Sequence, residues 1–147
     1  MPHFGLIDEN LPEKEQYLLR ARLHIRGGII RIRRGENEDG MAALYDAFIH
    51  SLYWFYLSDE KLKPLLTDQR GNFESEEKLY AILLRNGKVN GNFRLEQFMG
   101  LLDMALTNKL ENFNFDSFFR NFEDLMTQLK IMPFDEKDLP KGPSITL

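Results

Sequence analysis

The chain has no cysteine among its 147 residues. That excludes disulfides, thiolate metal sites and a cysteine nucleophile, and it is compatible with a reducing cytosol. No apolar run is long enough to cross a bilayer. The longest, residues 41–57, is interrupted by Asp46, His50 and Ser51. The opening MPHFGLIDENLPEKEQ has neither a basic start nor an apolar stretch, so no secretory signal is expected and a cytoplasmic setting is. No GxGxxG, GxxxxGK or GxSxG pattern occurs, which argues against standard dehydrogenase, nucleotide-kinase and hydrolase chemistry. The three histidines come without an HxxxH, an HExxH or a cluster of carboxylates. Neither a metal nor any other cofactor is expected.

What is present fits one globular domain. A chain of this length removes roughly 68–70% of its unfolded surface from water, and twelve phenylalanines supply large side chains for a core. The net charge of −4 conceals an asymmetry. Six of the ten arginines lie within residues 20–34, a stretch with no acidic residue. Residues 35–147 carry 12 Lys and Arg against 19 Asp and Glu, a net of −7. A basic segment on an acidic body implies either a local anionic partner or an internal electrostatic seam.

Periodicity places the elements. After an irregular arm ending at Pro12, a helix can start near Glu13, with Glu13 and Glu15 in its first turn, and end at Gly35. Leu18, Ile25, Ile29 and Ile32 follow at spacings of 7, 4 and 3, one helical face, with Arg22, Arg26 and Arg33 in a neighbouring row. Residues 23–33 also read as a β-hairpin turning at Gly27-Gly28, since two glycines inside a helix would cost about 2 kcal/mol relative to alanine. Both readings stand at this point. The helical character of everything downstream favours the helix, with the glycines marking a close helix approach or a kink.

Asn37 is placed to cap a second helix. Met41, Leu44, Tyr45, Phe48, Leu52 and Phe55 make one apolar stripe of it, and Ala42, Ile49, Tyr53 and Tyr56 line much of another side. A helix apolar nearly all round is buried and central. Trp54 is read the same way. A short turn covers residues 59–66, where Pro64 limits regularity, and a loop follows. Ser75 caps a third helix stopped by Asn86-Gly87. A fourth covers about residues 94–107, with Leu95, Phe98, Leu102 and Leu106 inward. Asn114 caps a fifth over about 115–131, with Phe118, Phe119, Phe122, Leu125, Met126 and Leu129 inward. Pro133, Pro140 and Pro143 make residues 132–147 an extended or disordered tail, in which residues 135–140 resemble a short docking peptide. The expectation is an all-α, single-domain bundle of about five helices over residues 1–131, followed by that tail.

Two constellations carry chemical interest. Asp46 and His50 are one helical turn apart, with Tyr53 on the same face. A carboxylate beside an imidazole fixes its tautomer, which is how a general base is oriented. The plainer reading is a satisfied polar pair at the edge of a buried helix, or a pair made with an arginine of the first helix. The arginines Arg20, Arg22, Arg26, Arg31, Arg33 and Arg34 can contact phosphates. They can equally form a solvated face or an internal seam, and no aromatics interleave with them to make a stacking platform.

Residues 17–57 resemble the HEPN family of small helical bundles. The match runs through Gly35-Glu36-Asn37-Glu38-Asp39-Gly40-Met41-Ala42-Ala43-Leu44-Tyr45-Asp46-Ala47-Phe48-Ile49-His50. A long first helix, a Gly-containing break and an Ala/Tyr-rich stretch lead there to a histidine, here His50. The arginine that nuclease members place before that histidine has no counterpart at Ala43, Leu44 or Tyr45. The resemblance implies a helical bundle that often dimerises. Together these readings lead to a non-catalytic interaction module that self-associates or binds a protein or nucleotide partner. The alternative is an RNA-binding domain or metal-independent ribonuclease using His50 with the basic first helix. A third use of the aromatic-rich core is a small-molecule pocket.

Overall fold

A computed structural model describes residues 10–110 and 113–140. Among them are five α-helices: α1 (Glu13–Arg33), α2 (Asn37–Leu57), α3 (Glu76–Arg85), α4 (Leu95–Leu106) and α5 (Phe115–Gln128). Single 3-10 turns occur at Lys63–Leu65 and Glu136–Asp138. No strand forms among the described residues, and Thr67 and Phe73 make one isolated antiparallel bridge. The architecture is the expected all-helical bundle, and none of its helices is long and apolar enough to cross a membrane. Residues 1–9, with His3, and residues 141–147, with Pro143, lie outside the described part.

The glycine pair resolves as helix. Gly27 and Gly28 are buried within α1, and the reason is α2. A Cβ on Gly28 would stand 2.8 Å from Leu44 Cδ2 and 3.1 Å from the Gly40 carbonyl oxygen. A Cβ on Gly40 would run into Ile32 and lie 3.1 Å from the Gly28 carbonyl oxygen. The two helices therefore approach backbone to backbone at Gly28 and Gly40, and the packing gained there offsets the propensity lost. α1 closes on Gly35, at φ +82°. The Gly35 and Glu36 amides donate to the carbonyls of Ile32 and Arg31, a Schellman stop that turns the chain directly into α2. Asn37 is the first residue of α2, and Glu36 occupies the cap position.

α2 runs through the middle. Met41, Leu44, Phe48, Leu52 and Tyr56 are all fully buried, while Phe55 and Tyr53 are partly buried against the same core. Buried tyrosine hydroxyls bind the elements to one another. Tyr56 donates to the Leu79 carbonyl of α3, and Tyr80 donates to the Phe93 carbonyl at 2.6 Å. Ser75 and Asn114 accept from Lys78 and Ser117 as N-caps. In α4 the inward row is Phe98, Leu102 and Ala105, and Leu106, expected inward, is 50% exposed. The row i, i+4, i+7 ends at Ala105, which puts its neighbour outside.

Residues 132–140 are irregular apart from their one turn, as their prolines suggest, but they pack on α1. Leu139 is buried. Arg22 Nε donates to the Ile131 carbonyl at 3.0 Å, and its guanidinium lies 5.6 Å over the Phe134 ring. Arg26 Nη2 donates to the Pro140 carbonyl at 2.8 Å.

Candidate functional site

The α1–α2 face collects most of the residues singled out from sequence. Tyr17, Arg20 and His24 follow at helical spacing on α1, and Asp46, His50 and Tyr53 do so on α2. The imidazoles of His24 and His50 stack with centroids 5.6 Å apart, and Tyr17 stacks on His50 at 5.8 Å. Tyr53 stands edge-on to both Tyr17 and His50 and stacks on Phe73 at 4.2 Å. The site is thus a row of rings at the seam of two helices.

The carboxylate of Asp46 is turned differently from the expected geometry. Its Oδ2 lies 3.5 Å from Nε2 of His24. His50 meets residue 46 through the backbone, with Nδ1 donating to the Asp46 carbonyl at 2.8 Å. That bond fixes the tautomer of His50 and leaves Nε2 as the basic nitrogen of the neutral ring. His24 Nδ1 likewise donates to the Arg20 carbonyl at 2.7 Å. Both nitrogens of His24 therefore face acceptors, and at 2% exposure it is a support for the seam, out of reach of a substrate. Burial, then the hydrogen bond to Glu13, pushes the Tyr17 hydroxyl up to about 12. Burial also raises Tyr53, with help from Glu76. These phenols stay protonated near neutrality, and of the two stacked imidazoles His50 is the less buried, which makes it the ring here with the chemistry of a proton acceptor.

The six arginines part company. Arg20 shares the ring-bearing face and is half-buried. Arg22 and Arg26 point the other way, into residues 131–140. Burial lowers both guanidinium groups from their ordinary value, opposed by Asp138 and Glu15 at Arg22 and by Glu136 at Arg26. Arg31 is 8% exposed. Arg33 and Arg34 are exposed at the end of α1, with Arg34 Nη1 3.7 Å from Glu36. Two of the six arginines, Arg22 and Arg26, thus form an internal seam with the C-terminal residues, where Asp138 and Glu136 lie.

A second concavity has no precursor in the motif reading. Between α3 and α4 lies a groove of about 600 Å³, floored by Tyr80, Ala81, Phe93, Leu95 and Met99 and bordered by Leu84. Glu77, Arg94 and Glu96 stand among its lining. The one available signal was Leu84 itself, which falls off the Leu79, Tyr80 and Leu83 row that α3 buries. Among the described residues, no group of three metal-ligating side chains comes together. Comparison of the chain with known protein families, with curated proteins and with solved structures gives no match.

Proposed function

We propose that the chain is a non-catalytic helical interaction module whose α3–α4 groove receives an apolar-faced protein element. The observation that carries the reading is Leu84, 41% exposed beside an open apolar groove. Leucines scattered singly on a surface need no explanation, but an apolar concavity with a charged border is how binding sites are built. The arginines add support, since Arg22, Arg26 and Arg31 are drawn into the fold.

The reading is tested with an environment-sensitive apolar dye on dilute native protein. One saturable site is expected. It should be lost in Leu84→Glu and Met99→Glu and kept in Met104→Glu, whose parent side chain is 42% exposed away from the groove. Equal binding by all three variants overturns the proposal.

A second reading keeps RNA as the partner. It is favoured by Arg20 and His50 sharing one face, with Nε2 of His50 as the acid–base nitrogen. Labelled single-stranded RNA, titrated at low and moderate salt, should then bind in a salt-dependent way. Cleavage should fall by about 100-fold or more in His50→Ala. Absence of cleavage by the parent protein removes the nuclease, and absence of binding removes the RNA partner as well.

A further inference from the structure

We infer that Asn90-Gly91 is a site of spontaneous covalent modification, at which the Asn90 side chain closes onto the Gly91 amide nitrogen and reopens as aspartate or isoaspartate, while the identical pair at Asn86-Gly87 is protected. The inference goes beyond the groove reading and stands without it.

The chemistry belongs to the residue pair. The Cγ of an asparagine can reach the next residue's amide nitrogen through a small ring, and glycine has no Cβ to obstruct the approach. The Gly91 nitrogen gives its proton to solvent base, attacks Cγ of Asn90 and forms a new C–N bond. The Nδ2 group takes up a proton and leaves as ammonia. Water then adds to either carbonyl of the resulting succinimide and opens it to aspartate or isoaspartate. Nothing is oxidised or reduced, and solvent is the sole co-reactant.

The chain carries this pair twice, at the end of α3 and in the connection from there to α4. Asn86 and Asn90 are both exposed, and both glycines have positive φ. Solvent access and glycine conformation therefore do not separate the two. Hydrogen bonding does. At the first pair the Gly87 amide donates to the Leu84 carbonyl at 3.2 Å, and Asn86 Nδ2 donates to the Ile82 carbonyl at 2.7 Å. The nucleophile is engaged, and the electrophile is tied to the last turn of α3. At the second pair the Gly91 amide donates to no group among the described residues. Asn90 Oδ1 accepts from the Asn92 amide at 2.9 Å. That bond folds the side chain back along the Gly91 peptide. Its donor also meets the oxygen on which negative charge gathers during the attack. The Asn90 amide donates to Gln128 Oε1 of α5 at 2.7 Å, which anchors the segment. Gly91 lines the α3–α4 groove with Glu77, Arg94 and Glu96. Either product adds a carboxylate beside that border, and isoaspartate also inserts its Cβ into the backbone there.

The test incubates the native full chain in mildly alkaline buffer and maps it by mass spectrometry after a brief tryptic digest. Trypsin cuts after Arg85, Lys88 and Arg94, so the two pairs fall on separate peptides, residues 86–88 and 89–94. Conversion at Asn90 should run on the order of ten-fold faster than at Asn86, whose two hydrogen bonds must first break. In denaturant the two rates should converge. Asn90→Gln, whose longer side chain disfavours the ring closure, should abolish the signal on residues 89–94 and leave Asn86 unchanged. Equal rates in the native chain overturn the inference. So does a native chain that stays unmodified at Asn90 while the unfolded chain reacts. A difference that persists in denaturant overturns it as well, since it would belong to the flanking residues and not to the fold.

Discussion

Replacing Phe48 by alanine should lower stability by about 3–5 kcal/mol, a fifth or more of the roughly 5–15 kcal/mol that native domains commonly have. The side chain is fully buried on α2. Its ring meets Tyr80 of α3 at 6.0 Å, Phe93 of the α3–α4 connection at 5.6 Å and Phe98 of α4 at 6.0 Å. Phe98 and Phe93 in turn touch Phe122 of α5, each at 6.0 Å. One residue thus joins four elements, and three of its neighbours are too large to close the space left behind. Trp54 is the only tryptophan and sits on the same helix, so its fluorescence reports the unfolding. A guanidinium titration should show the midpoint fall with little change in slope. A loss below about 1 kcal/mol would show that the ring cluster repacks and that Phe48 is no hub.

The centrality of Phe48 is legible without coordinates, because Met41, Leu44, Phe48 and Leu52 recur at helical spacing in a stretch with hardly a charge. The helix stops at Gly35 and Asn86-Gly87 are legible for a similar reason, since the residue that ends a helix is local to it. Distant partners are what hide the rest. Gly27-Gly28 keeps a hairpin turn open as the rival of the favoured helix until Leu44 and Gly40 are brought against it. The prolines of residues 132–140 exclude regular structure, but nothing local says that Arg22 and Arg26 will hold the segment down. The same holds at the ring-bearing seam. The spacing of Asp46 and His50 places both on one face, yet the carboxylate turns to His24, which comes from another helix. The groove is hidden more thoroughly, because a concavity belongs to the angle between α3 and α4 and no single segment encodes it.

The sharpest consequence of the backbone contact is a pair of glycine substitutions with opposite signs. Gly40→Val should destabilise the fold by about 3 kcal/mol. The new Cβ would meet Ile32, whose backbone nitrogen is 3.1 Å away, and the Gly28 carbonyl oxygen, also 3.1 Å away. Two of these obstacles are backbone atoms of α1 and cannot rotate aside, so the helices must part. The few tenths of a kcal/mol that valine gains over glycine in helix propensity does not compensate. Gly100 lies on the exposed side of α4, where a methyl carbon added to the backbone would have nothing within 4 Å, so Gly100→Ala should stabilise by about 1 kcal/mol. Parting α1 from α2 also moves His24 away from Asp46 and His50, since all three depend on the same crossing. Gly40→Val should therefore shift the imidazole resonances of both histidines at temperatures where the chain remains folded. If its denaturation midpoint matches that of the parent, the close approach at Gly28 and Gly40 is wrong, and with it the geometry of the ring-bearing seam.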